Sequence, residues 1–114
     1  MNIPKQRWEH RSIQLVQQLD RVLRPLVGSQ ARVRVLGLLM LNPDRAFYVR
    51  ELAYLANLRV HAVERQLRRL RALDLVTRRE TNVKVFYRCN RASPLVSALQ
   101  HLCHRAGQID VHKT

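Results

Sequence analysis

The chain has 114 residues, of which 46% are hydrophobic, and a formal net charge of +13. That length suits one domain with one modest core. A domain so positive repels itself unless an anion neutralises it, which excludes a protein indifferent to anions and makes nucleic acid the first candidate partner and an anionic membrane surface the second.

Pro4 can open a helix and Pro25 marks its end. Between them Trp8, Ser12, Leu15, Leu19, Val22 and Leu26 recur at spacings of four and three, a narrow seam of the coiled-coil kind that Ile13, Val16 and Leu23 widen. The seam suits a dimer contact through Trp8, Leu15, Leu19 and Val22, and it also suits a helix packed on its own domain. Gly28 breaks the chain and Ser29 is a good N-cap. The next helix spans about Gln30 to Leu41, buried through Val33, Leu36, Leu39 and Met40. Gly37 in its interior costs about 1 kcal/mol relative to Ala, so close packing is expected there. Asn42-Pro43-Asp44 reads as a turn and Phe47-Tyr48-Val49 as a short strand.

Arg50 to Ala56 reads as a short helix with Leu52, Ala53, Leu55 and Ala56 inward. Asn57 can take the left-handed conformation of a tight turn. Leu58 plugs that turn, and Val63 packs back from the following helix, Val60 to Leu73. The spacing Ala-x3-Asn-Leu-x4-Val is a helix-turn-helix signature. At about 100° per residue, Val63, Leu67 and Leu70 form one stripe and His61, Arg65 and Arg68 lie opposite it, flanked by Glu64, Arg69 and Arg71. The arginine back suits either a solvated face or a face presented to an anion. Leu75 to Glu80 and Lys84 to Arg88 then read as a hairpin bent at Thr81-Asn82-Val83. It is basic on both arms, through Arg78, Arg79, Lys84 and Arg88, and one ring of the alternating Phe86 and Tyr87 should reach the core. Ser93-Pro94 caps a last helix whose Leu95, Leu99, Leu102 and Ala106 make a second narrow seam, ended by Gly107. The tail from Gln108 to Thr114 is expected to be mobile.

The order helix, helix, strand, helix-turn-helix, wing, helix resembles the winged helix-turn-helix repressors of the ArsR and MarR type. The likeness lies in FYVRELAYLANL, AVERQLRRLRALDLV and RRETNVKVFYRCN and covers roughly residues 29–102. It implies a mainly α fold with a small β-hairpin (α+β). The domain would run over 1–114, with a winged-helix core at 29–91 between dimerisation helices at 4–26 and 93–107. It implies double-stranded DNA as partner and a homodimer built by the first and last helices, which fits the seam of Leu95, Leu99 and Leu102; no cofactor is expected. The second helix of the motif would enter the major groove and the wing tip would lie near the backbone or minor groove. The expected DNA-binding residues are Arg59, His61, Glu64, Arg65, Arg68, Arg69, Arg78, Arg79, Asn82, Lys84 and Arg88. The chain departs from the pattern at Arg59-Val60-His61, where relatives often have Ser or Thr, and at Asn82-Val83, where many have Gly. It also lacks the cysteine pair that metal sensors of this type carry near the recognition helix. Ending soon after the wing, it should stand alone.

No catalytic constellation is legible: neither a GxxxxGK loop nor an HExxH pair occurs, and Cys103 and His104 point apart on one helix. His101, Cys103, His104, Asp110 and His112 gather near the end, where a soft divalent metal would accept such ligands and where a surface histidine cluster beside a buried thiol is the plainer reading. Cys89 and Cys103 make neither a disulfide framework nor a CxxC site, although a redox pair across a dimer would use both. The opening MNIPKQRWEH is too polar for a signal peptide, and the run from Val35 to Leu41 is too short to cross a membrane. The expectation is a cytoplasmic, dimeric, sequence-specific repressor. The rivals are a non-specific nucleic-acid-binding or interaction protein and a metal- or thiol-responsive sensor on the same fold.

Overall fold

The computed structural model describes residues 3–108. Its elements are α1 (Ile3–Val27), α2 (Gln30–Leu41), α3 (Val49–Ala56), α4 (Val60–Ala72), β1 (Val76–Glu80), β2 (Val85–Cys89) and α5 (Pro94–Gly107). The expected mainly α fold with a β-hairpin is what forms. The tail expected to be mobile lies, beyond Gln108, outside the described residues.

Helix α2 is the hub. Val33, Val35, Leu36, Leu38, Leu39 and Met40 are all buried, so it is apolar nearly all round, as a helix enclosed by others must be. Ser29 caps it by accepting from the Arg32 amide at 3.2 Å. Gly37 is where α1 crosses: a Cβ there would stand 2.6 Å from Leu19 Cδ1, so any larger residue would force the Leu19 side chain to shift. Helix α1 lies along α2, and Val16, Leu19 and Leu23 sink into the core with Val63 and Leu67 of α4. Helix α5 closes the other side with Val96, Cys103 and Ala106.

Four expectations need correction. The seam of α1 is spent largely inside the protomer: Leu19 is 0% exposed, and Trp8 and Val22 pack against the same core. Trp8 donates to Asn42 Oδ1 at 3.2 Å and lies 6.1 Å from the Phe47 ring. Leu19 therefore cannot touch a second copy; a four-three repeat also fits a helix lying along a nearly antiparallel or parallel neighbour of its own chain. Helix α1 also continues through Pro25 to Val27, because a proline in the last turns removes only one late backbone bond. The strand expected at Phe47-Tyr48-Val49 shrinks to one bridge, Phe47 to Tyr87, with both amides bonded at 2.8 Å. Val49 instead begins α3. The Tyr48 amide donates to Glu51 Oε1 at 3.4 Å, and that local cap starts the helix where β-branched preference alone suggests a strand. The hairpin strands begin one residue later than expected on both arms.

The structure also holds a buried ion cluster. Asp20, with its side chain 2% exposed, accepts from Arg34 Nη2 at 3.1 Å and from Arg24 Nε at 2.9 Å. Arg34 continues to the carbonyl of Ala56 at 2.8 Å, so one guanidinium joins α1 and α2 to the end of α3. Burial pushes the Asp20 carboxyl up; the hydrogen bonds and charges of Arg34 and Arg24 outweigh it and hold the group below the ordinary carboxylate range.

Both thiols are free and buried, and Cys89 Sγ lies 3.9 Å from Met40 Sδ. Burial pushes Cys103 up to about 11 and raises Cys89 as well. Sulfurs inside the protomer core do not meet across an interface, so the cross-dimer redox pair does not fit this fold.

Two measurements check these arrangements. Asp20→Asn should cost about 3 kcal/mol at neutral pH, because it leaves Arg34 buried without its counter-charge. The contribution is full above the unfolded carboxylate value near about 4 and is lost as pH falls through the lower folded value. The gap in urea midpoint between the parent and Asp20→Asn should therefore narrow between neutral pH and strong acid, and a gap independent of pH would contradict the cluster. Iodoacetamide at mildly alkaline pH should alkylate neither thiol in the folded protein within minutes and both after unfolding, as counted by mass.

Candidate nucleic-acid interface

The helix-turn-helix forms through local chemistry that the sequence spells out. Asn57 sits at φ 54°, in the left-handed region. This lets the Leu58 amide turn back to the carbonyl of Ala53 at 2.9 Å and closes α3. Ala53 is buried where α3 meets α4, and Leu58 packs partly under the turn. Helix α4 then buries Val63, Leu67 and Leu70, as its stripe requires. Gln66 is buried with them and accepts from Arg32 Nε of α2 at 3.4 Å. Its spacing, three after Val63 and four before Leu70, already put it on that face, but its polarity masked the signal.

Opposite the stripe the helix is bare. The His61 side chain is 94% exposed, with Nδ1 3.8 Å from Glu64 Oε1. Arg65, Arg68, Arg69 and Arg71 are exposed, and Arg59 is exposed at the N-cap. At its other end α4 stops at Leu73, and Asp74 turns at φ 62°. Asn90 Nδ2 donates to the Asp74 carbonyl at 2.8 Å and fixes the step into β1. The wing thus has a set direction relative to α4.

The hairpin pairs Val76 with Cys89, Thr77 with Arg88, Arg78 with Tyr87, Arg79 with Phe86 and Glu80 with Val85. Side chains alternate faces along a strand, so the basic residues divide. Arg78 shares the core-side face with Tyr87 and donates to Glu80 at 3.0 Å. Arg79 and Arg88 share the outer face with Phe86. Lys84 lies at the turn, with Nζ 5.3 Å above the Tyr48 ring, which packs on Phe86 at 4.7 Å. The turn needs no glycine: neither Asn82 nor Val83 has positive φ. Thr81 closes it instead, its amide donating to the Lys84 carbonyl at 2.8 Å and its hydroxyl accepting from the Lys84 amide at 3.1 Å. Asn82 and Val83 project from the tip.

Arg68, Arg71, Ala72, Asp74, Val76, Thr77 and Arg78 line one open hollow of about 590 Å³ between the end of α4 and the wing. It brings together Arg68 and Arg78, two expected site residues, and adds Arg71, which the sequence placed only as a flank. Arg88 stands apart, four residues back from Lys84 and so about 13 Å from the turn at the usual rise per residue. Among the described residues, no group of three or more His, Cys, Asp or Glu side chains could hold a metal. His101 and His104 are exposed while Cys103 is buried, and Asp110 and His112 lie outside the described residues. Among the described residues, no helix is long and apolar enough to cross a membrane.

No protein-family model and no curated protein matches the chain. Among solved structures it is similar to reduced HlyU from Vibrio cholerae, with 31% sequence identity and a TM-score of 0.56, over 74% of this chain and 83% of that one. HlyU is a winged helix-turn-helix regulator of the ArsR family. At that identity and span, and with the same order of helices and hairpin, this chain belongs to the ArsR family of winged helix-turn-helix DNA-binding transcriptional regulators.

Proposed function

We propose that this regulator is a homodimeric repressor that binds a specific, pseudo-palindromic duplex site. The observation that carries the reading is the exposed face of α4, where His61, Arg65 and Arg68 stand clear of a fully packed Val63–Leu67–Leu70 stripe. With that stripe locked, these side chains are the ones able to point into a major groove. Arg65 and Arg68, three residues apart, reach neighbouring base edges, and each bidentate arginine–guanine contact discriminates by about 1–3 kcal/mol. Glu64, beside His61, can accept from a cytosine amine. Arg59, Arg69, Arg71 and Arg78 border the same face and suit phosphates. Arg79, Asn82 and Lys84 near the wing tip suit phosphates or the minor groove, because a hairpin this narrow cannot read several major-groove bases. Contacts of the two kinds have different consequences: base contacts set sequence and phosphate contacts set affinity and salt dependence.

For the dimer, α5 is the better-supported element. Leu95 is 58% and Leu102 43% exposed, and with the partly buried Leu99 they form a stripe at helical spacing. A second copy that covers the stripe would remove apolar surface from water. Of the α1 seam, Leu15 and the exposed Leu26 remain candidates to join it.

Sedimentation at micromolar concentration should give the dimer mass, and Leu102→Glu should shift the protein toward monomer; a parent that stays monomeric overturns the assembly. Arg65→Ala or Arg68→Ala should weaken binding to the true site far more than to scrambled duplex. Arg79→Ala or Lys84→Ala should weaken both alike and make the slope of log K against log salt shallower by about one. Wing variants that lose sequence preference while helix variants keep it would move the reading head from α4 to the wing.

A further inference from the structure

Strand β1 has β2 on one side and an open edge on the other. Phe47 and Tyr87 exchange both backbone bonds at 2.8 Å, so Tyr87 turns its N–H and C=O away from β1. In an antiparallel pair, residues that turn outward stand opposite residues that also turn outward. Arg78, paired with Tyr87, and Glu80, paired with Val85, therefore turn their own N–H and C=O away from β2. Among the described residues, no other segment bonds them there. The open hollow of about 590 Å³ follows this edge: Val76, Thr77 and Arg78 line it in succession, and no residue of β2 does. Successive strand residues point to opposite faces, so a space lined by all three lies beside the strand rather than over one face. Ala72 and Val76 give the hollow its apolar part, and Arg68, Arg71 and Arg78 outnumber its one carboxylate, Asp74. Arg78 is engaged by Tyr87 and Glu80, whereas Arg68 and Arg71 have no ion-pair partner among the described residues.

We propose that this edge docks an extended acidic segment of a partner protein, which adds a strand to β1 and sets carboxylates against Arg68 and Arg71. The edge presents donors and acceptors in alternation, which another extended backbone matches in turn. An added strand would run about 4.8 Å from β1, along the hollow and past Ala72 and Val76. Its alternate side chains would face the end of α4, where the planar fork of Arg matches a carboxylate. Charge chooses among the occupants. A second copy of β1, paired antiparallel about Arg78, would set Arg78 against Arg78, and like charges directly opposite repel. A duplex phosphate would meet the arginines, but phosphate oxygens only accept, so the outward carbonyls of Arg78 and Glu80 would stay unmet. An acidic strand satisfies the charges and the backbone together. Docking of this kind needs no DNA.

The test uses the full chain without DNA and the capped peptide acetyl-Glu-Val-Glu-Val-Glu-amide as probe, followed by calorimetry and by NMR of the backbone amides. The peptide should bind saturably with a Kd of about 1 mM or tighter. At saturation the Arg78 and Glu80 amides should shift and exchange with solvent about tenfold more slowly. The Thr77 and Arg79 amides, which alternation already turns toward β2, should change little. Acetyl-Glu-Pro-Glu-Pro-Glu-amide keeps the charge and loses donors, and acetyl-Lys-Val-Lys-Val-Lys-amide keeps the donors and reverses the charge. Each should bind at least about tenfold more weakly. Arg68→Gln and Arg71→Gln should each weaken the glutamate–valine peptide about tenfold while their circular dichroism stays that of the parent. Arg21→Gln, at an exposed position of α1, should change nothing. Equal binding of the proline peptide, equal losses in Arg71→Gln and Arg21→Gln, or an Arg78 amide that does not respond would reduce the effect to attraction by net charge and overturn the docked strand. Duplex DNA that slows the Arg78 and Glu80 amides where the peptide does not would give the edge to DNA and overturn it too.

Discussion

Asp20 brings a full negative charge into a protein interior, and the folded state tolerates it only because two arginines meet it there. Arg34 is the important one. It spans from Asp20 on α1 to the Ala56 carbonyl at the end of α3, where a helix leaves carbonyls without partners and carries partial negative charge. One side chain therefore answers two unmet needs at once. In doing so it fixes the helix-turn-helix against the long first helix. The direction of α4, and of every arginine on its back, follows from that placement together with the Leu19–Gly37 crossing.

The arginines of this chain fall into two populations that net charge cannot separate. Arg24, Arg34, Arg45, Arg78 and Arg91 are engaged with carboxylates. Arg45 also lies 4.0 Å over the Trp8 ring, a cation held against an aromatic face. These are held to partners within the chain, Arg34 the most deeply. Among the described residues, the arginines of α4 and of the outer wing have no such partners, and they face outward. A chain with eight acidic residues in all, set against 21 lysines and arginines, cannot neutralise most of its positive charge internally. The few acids present are spent mainly on positioning, which leaves the functional faces bare.

What could be read in advance was whatever rests on short spacing. The turn at Asn57, the cap at Ser29, the tight contact at Gly37 and the stripe of α4 each follow from residues within a helical turn or two of one another. The seam of α1 misled for the same reason: periodicity says that a stripe is buried and is silent on whether its own chain or a second copy covers it. Leu19 went to its own chain; Leu95 and Leu102 of α5 did not. Asp20 and Arg34 are fourteen residues apart on different helices, and no local pattern links them. Gln66 was hidden by residue type, although its position matched the stripe. At Tyr48 and Val49 side-chain preference pointed to a strand, and the reach of Glu51 back to the Tyr48 amide decided otherwise. On the wing, alternation alone sets Arg78 and Arg79 on opposite faces; the register showed which cross-strand neighbours each one meets.

The closure of the wing by Thr81 bears on how such a regulator can diversify. A hairpin turn that depends on a left-handed residue restricts its tip to glycine or asparagine, and every change of tip then risks the turn itself. Here the restriction falls on one hydroxyl at the shoulder, and the two tip positions keep ordinary backbone angles open to any side chain. Lineages descended from this scaffold are free to exchange the residues at 82 and 83 among small, charged or bulky types without refolding the arm that presents them.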